Sequence, residues 1–226
     1  MKQATRNRSR NLIEFFIPMS RKDRKKAKWV LVPLFGSLLY GILYFIATLL
    51  YPGGSQFNKQ SKGFSWMHNY WCNLLNEPAI NGQHNPARPV ALTAMAVLCM
   101  ALTIFWYMFP AYVKFHKNIR LLLQFSGIAA MATGLFLFTA QHDAVINGAT
   151  FFGMVALTGT FIGLNRLRWT KLFRMGLFIV PLIIVNNVLY YGNGLIYYLP
   201  VVQKITFLYF LLWVCSINVH LYKEIS

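Results

Sequence analysis

Six runs of roughly twenty mostly apolar residues constrain this chain of 226 residues more than any other feature. An α-helix of that length crosses a ~30 Å hydrocarbon core. Lipid offers no partner for backbone N–H and C=O groups, so each run must satisfy its own backbone as a helix. The runs are 29–51, 89–109, 121–140, 144–164, 175–191 and 197–221. The sequence therefore predicts an all-α polytopic membrane protein with six transmembrane helices. Residues 29–221 read as one transmembrane domain, preceded by a basic segment, 1–28, and followed by a short tail, 222–226. With 57% hydrophobic and 12% charged residues, the composition is far from that of a soluble domain.

The net charge of +17 suggests nucleic acid until the positions of the bases are read. Ten Lys and Arg precede the first run, three flank the second connection (Lys114, Lys117, Arg120) and four flank the fourth (Arg166, Arg168, Lys171, Arg174). With Lys223 they make 18 on one side, against Lys59, Lys62 and Arg88 on the other. That asymmetry is the positive-inside signature. It places both termini in the cytoplasm, with a bacterial inner membrane as the expected setting. The expected partners are membrane lipids and not nucleic acid. The apolar stretch 12–19, flanked by bases, reads either as an interfacial segment or as part of a disordered basic tail. Trp29, Trp106, Tyr107 and Trp169 fall at the cytoplasmic boundary, and Tyr51, Tyr190, Tyr191, Tyr197 and Tyr198 at the outer one, as aromatic belts do. Gly159 and Gly163, and more loosely Ala130 and Gly134, have the spacing of close helix packing.

One connection stands apart. Residues 52–88 number 37 and hold six Asn, two Trp and two of the five His. Loops of such length are usually functional or disordered, and the aromatic content argues against disorder. Residues 64–75 fit an amphipathic helix, with Trp66, Tyr70 or Trp71, and Leu74 on one face and Asn69 and Asn73 four apart beside it. The expectation is a lid across the outer mouth of the bundle.

Polar residues of the later spans gather on the same side. Asp143 either caps the helix that follows it or joins His142 and Asn147 in a polar pocket. Lys204 lies about two turns inside the last run, where an ammonium must snorkel or find a partner; Asp143 and Glu77 are the acids available on that side. Of Asn186 and Asn187, at similar depth, at least one should face the interior. The predicted ligand-binding set is Trp66, His68, Asn69, Asn73, His142, Asp143, Asn147, Asn187 and Lys204. His68, His84, His142 and Asp143 are the residue types that hold zinc, although their scattered spacing matches no known motif. There is no P-loop, no G-x-S-x-G and no H-E-x-x-H. Three cysteines, Cys72, Cys99 and Cys215, make no disulfide framework.

The segments YPGGSQF, GFSWMHNYWCNLL, NGQHNPAR and TGLFLFTAQHDAVINGATFF together resemble a prokaryotic family of six-span membrane proteins that is distantly similar to the damage-regulated autophagy modulators. The resemblance implies a membrane protein with an outward-facing polar site. In that family Asp often stands at the position of Asn73 and a His near Asn147, so this chain departs from the pattern at both. The leading expectation is a polar pocket, open to the outside, that binds a lipid headgroup or small amphiphile. A metal-dependent lipid hydrolase and a small-solute transporter are the alternatives.

Overall fold

The computed structural model describes residues 28–139, 142–192 and 194–226, and for His142 and Asp143 the backbone alone. The basic segment 1–27, with the stretch 12–19, lies outside the described residues. Among the described residues, seven named α-helices follow one another: α1 Val32–Leu50, α2 Ala87–Tyr112, α3 Lys117–Gly134, α4 His142–Arg166, α5 Thr170–Leu177, α6 Ile179–Tyr191 and α7 Leu199–Ile225. No strand occurs among the described residues; an isolated antiparallel bridge joins Gly53 and Lys62. Among the described residues, five stretches are long and apolar enough to cross a membrane: Val32–Leu50, Ala87–Tyr112, Ala144–Arg166, Thr170–Tyr191 and Ile196–Ile225.

Two expectations need correction here. The third run, expected at 121–140, forms a helix that starts earlier and stops at Gly134. Its first turns carry Lys117, Arg120 and Gln124, which is why it is not among the stretches apolar enough to span. The fifth run begins before 175, because α5 and α6 form one apolar stretch broken at Phe178. Pro181 lacks the N–H that would bond the Leu177 carbonyl, and the Phe178 N–H turns back to the Met175 carbonyl instead, at 3.2 Å.

Packing follows small residues. In α1 the buried residues Pro33, Ser37, Tyr40, Tyr44 and Ala47 recur at three- and four-residue spacing, the stripe of a helix with one packed face. They meet the alanine-rich side of α2, where Ala91, Ala94 and Ala101 are buried. The Cβ of Ala101 stands where a side chain at Gly36 would go. On α2's other flank, Gly127 of α3 lies against the indole of Trp106. Gln124 Nε2 donates to the Tyr107 carbonyl at 2.7 Å. Next in order, Gly159 of α4 packs on Leu123, and Gly163 on Phe109 and Val113, as the Gly-x-x-x-Gly spacing led one to expect. Midway along α7, buried Trp213 covers Gly176 of α5 and donates its Nε1–H to the Leu172 carbonyl at 2.7 Å.

The aromatic-belt reading fails at two positions. Trp106 and Tyr51 lie near the helix ends, as belt residues do, but both are turned inward and buried. Trp106 fills the space that Gly127 leaves; Tyr51 accepts a hydrogen bond from the Ile80 N–H at 3.2 Å.

Glycine contacts give a direct test. Gly127→Ala would drive a methyl group into Cβ and Cγ of Trp106, atoms fixed near the backbone of a buried residue. Overpacking of that kind costs about 1–3 kcal/mol. Gly153 in α4 has nothing within 4 Å of an added Cβ, so Gly153→Ala is expected to be neutral or slightly stabilising. Thermal unfolding of the two purified variants in detergent checks the contrast; equal melting temperatures would contradict this packing.

Candidate functional site

The connection 52–86 folds as a compact plug on the bundle. Residues 64–75 do not form the expected amphipathic helix: only Trp71–Leu75 is helical, as a 3-10 helix. The cause is asparagine side chains that bond nearby backbone and so compete with helical hydrogen bonds. Asn69 Oδ1 accepts from the Ser65 N–H at 2.8 Å, and its Nδ2 donates to the Gly54 carbonyl at 2.7 Å and to Asn73 Oδ1 at 3.2 Å. Asn73 Oδ1 also accepts from the Tyr70 N–H at 2.8 Å. Asn85 works the same way at the other end, donating to the Leu74 and Asn76 carbonyls and accepting from the Ala87 N–H. All three asparagines are buried. A buried loop must satisfy its backbone without a ladder, and these amides are the substitute.

Lys204 joins the plug to α7. Its Nζ donates to the Asn69 carbonyl and, at 2.9 Å, to the Pro200 carbonyl one turn back. The ammonium also lies 5.7 Å from the Phe64 ring centre and 5.9 Å from that of Trp71, within reach of cation–π attraction. The side chain is buried. Pairing with Glu77 is therefore a correction: that carboxylate instead meets His84 Nδ1 at 3.2 Å and the Asn85 N–H. The side chain of Asp143 lies outside the described residues, as does that of His142. A second fastening runs to α1, where the Tyr44 hydroxyl donates to the Trp71 carbonyl at 3.2 Å.

Of the residues expected to bind a ligand, Asn69, Asn73 and Lys204 do converge, but as a closed cluster whose polar groups are spent on the protein. Trp66 and His68 sit at its rim. His68 Nε2 shares a hydrogen bond with the Tyr197 hydroxyl, and Phe57 packs on both rings. Trp66, Phe57, Tyr197 and Tyr198 are exposed there. Asn147 and Asn187 are exposed on their helices, and Asn187 Nδ2 bonds its own Ile183 carbonyl. The interhelical contact belongs instead to Asn186, whose Nδ2 donates to Thr206 Oγ1 at 2.7 Å. No group of three His, Cys, Asp or Glu placed to hold a metal occurs among the described residues. The two described members of the expected zinc set, His68 and His84, have different partners, Tyr197 and Glu77.

Sequence reading passed over the hollow beside this rim. Pro52, Lys59, Gln60, Ser61, Lys62, Asn81 and Gln83 line a space of about 460 Å3. Cys72, next to Trp71, is the thiol of the plug. Burial pushes it up from its ordinary value, against a downward pull from its own backbone and from the Lys204 ammonium.

Removal of the fastenings should open the plug. Asn69→Ala orphans buried backbone groups at a cost of roughly 1–3 kcal/mol each. In a background with Cys99→Ala and Cys215→Ala, thiol alkylation reports the opening. The thiolate is the reactive form, so Cys72 should react slowly at neutral pH and rise only at more alkaline pH than an exposed cysteine. Asn69→Ala should bring the rate and its pH dependence back to those of an exposed thiol; an unchanged profile would contradict the plug. Lys204→Met should destabilise by about 1–3 kcal/mol, the scale of a hydrogen bond to a charged group, and not by the ~3–5 kcal/mol expected when a buried carboxylate loses its partner. Chemical denaturation in detergent separates these values. Comparison of the chain with models of known protein families, with curated protein sequences and with solved structures found no match.

Proposed function

We propose that this is a six-span membrane protein, with both termini in the cytoplasm, that binds a lipid headgroup or small amphiphile at the plugged end, outside a bacterial inner membrane. Support for the sixth crossing comes from α3, which lies antiparallel between α2 and α4. Gly127 meets Trp106, and Gly134 approaches Cys99; on its other side Thr133 lies near Gly148 and Leu123 near Gly159. A helix in that register shares the depth of its neighbours. Its 18 residues reach about 27 Å at 1.5 Å per residue, and the apolar turn 135–138 continues them. The orientation rests on the distribution of Lys and Arg.

The observation that carries the binding reading is the aromatic rim at the plugged end. Phe57 and Tyr197 stand 4.8 Å apart, ring centre to ring centre, and Trp66 packs edge-on against Phe64 and Trp71 while staying 48% exposed. Aromatic rings with polar tips sit at headgroup depth, with the ring in the apolar zone and the tip in water. The His68–Tyr197 hydrogen bond ties this rim to the connection before α7, so the rim is held by two separate parts of the chain. A rigid aromatic surface binds an amphiphile with little ordering cost.

The test is binding of a short-chain phosphatidylcholine to the purified full-length protein, followed by tryptophan fluorescence and by mass spectrometry of retained lipid. Saturable binding is expected, weakened about tenfold or more by a double Trp66→Ala, Tyr197→Ala variant, since each lost aromatic contact is worth roughly 0.5–1.5 kcal/mol beyond its area. Equal binding by wild type and variant would overturn the assignment of the rim.

A further inference from the structure

The hollow next to the rim is the best-built polar feature that the binding reading leaves unused. We propose that it holds a phosphate group, as carried by an anionic phospholipid. The inference deepens the proposed function by naming the chemical class of the headgroup, and it rests on that reading for the lipid as the source.

Two stretches form the walls. Residues 58–62 turn tightly: Asn58 Oδ1 accepts from the Gln60 N–H at 2.9 Å, and the Asn58 carbonyl accepts from the Ser61 N–H and hydroxyl. Residues 81–83 turn opposite them, with the Gln83 N–H donating to Asn81 Oδ1 at 3.1 Å. Gly53 and Gly54 hold the two turns together. The Gly54 N–H donates to the Ser61 carbonyl at 2.8 Å, and the Asn81 N–H to the Gly53 carbonyl at 3.3 Å. Both glycines have positive φ, +139° and +85°, and a Cβ on either would collide with backbone, Ser61 in one case and residues 80 and 81 in the other. Only glycine allows this approach, so the walls are preset by the fold before any ligand arrives.

The lining is one-sided in charge. Lys59 and Lys62 line the space with cationic side chains and Gln60, Asn81 and Gln83 with amides, of which Asn81 Nδ2 donates one hydrogen to Gln83 Oε1 at 3.2 Å, and among the described residues no carboxylate is part of the lining. Glu77 is held at His84 and Asn85. Two cations and amide N–H groups around one space suit a phosphate oxyanion, because charge-assisted bonds to it are the strong ones. Position names the source. Pro52 lines the hollow directly after Tyr51, the residue that caps the end of α1 at Leu50. The space therefore opens where the chain leaves the bilayer, at the level of headgroup phosphates. A lysine near an anionic surface changes affinity by about fivefold.

The experiment uses the full chain in nanodiscs that contain equal parts of phosphatidylcholine and phosphatidylglycerol. Retained lipids are extracted and quantified for the wild type and for a Lys59→Gln, Lys62→Gln variant. The expected result is enrichment of phosphatidylglycerol around the wild type, reduced on the order of tenfold in the variant, with retained phosphatidylcholine and melting temperature unchanged. A second arm titrates inorganic phosphate onto protein in neutral detergent. A melting-temperature rise that the double variant lacks, with no lipid enrichment, supports the phosphate site and assigns it to free phosphate. Identical lipid enrichment in wild type and variant, with no phosphate effect on either, overturns the proposal. Phosphatidylcholine retention stands apart as the readout of the aromatic rim. Its loss with phosphate binding intact would sink the amphiphile reading alone.

Discussion

The fold at the plugged end hangs on Asn69. Its side chain supplies a donor and an acceptor to residues 54, 65 and 73, and its own carbonyl receives Lys204. A connection this long, packed on the bundle, has no regular ladder to serve the part of its backbone that is buried. It survives because the buried side chains of Asn69, Asn73 and Asn85 answer backbone groups from other parts of the connection. With that requirement met, the aromatic rings of Phe64 and Trp71 are fixed, Lys204 has a place to put its charge, and the rim outside them becomes a rigid surface.

Lys204 shows how a buried cation can be structural. An ammonium this deep is commonly read as a counter-ion waiting for a carboxylate. Here two carbonyl dipoles and two aromatic faces surround it. The arrangement ties a helix to a loop and makes the position of α7 depend on the conformation of residues 64–71. The bundle beneath is assembled by a different device, glycines that admit a large side chain from the neighbouring helix, as at Gly127 with Trp106 and Gly176 with Trp213.

Five long apolar helical stretches could be read from the sequence because some twenty apolar residues in a row have one solution in lipid. The loop was legible as the place to look, and Asn69, Asn73 and Lys204 as residues that meet. Their roles were not. Asparagines four apart have the periodicity of a helix face, and periodicity does not reveal an amide that bonds its own backbone. Few acids exist, so Lys204 was matched with Asp143 or Glu77; Glu77 is engaged elsewhere, and among the described residues the hydrogen-bond partners of Lys204 are the Asn69 and Pro200 carbonyls. Trp106 and Tyr51 lie at the depth of an aromatic belt, but depth leaves the direction of a side chain open. Gly127 was missed because Met131, four residues on, breaks the small-residue pattern. The lysine hollow was missed because its two walls, 58–62 and 81–83, lie apart in sequence and are brought together through Gly53 and Gly54.

Hydrogen exchange of the full-length protein in lipid nanodiscs tests the plug most directly. The amides of Ser65, Tyr70, Asn81 and Ala87 each donate to a partner inside the plug or at its junction with α2. They should exchange orders of magnitude more slowly than an open loop, close to the rate of the helix amides in α2, and all four should speed up together in Asn69→Ala. Rapid exchange across residues 53–85 in the wild type would contradict a rigid plug, and with it the rim and the hollow that depend on it.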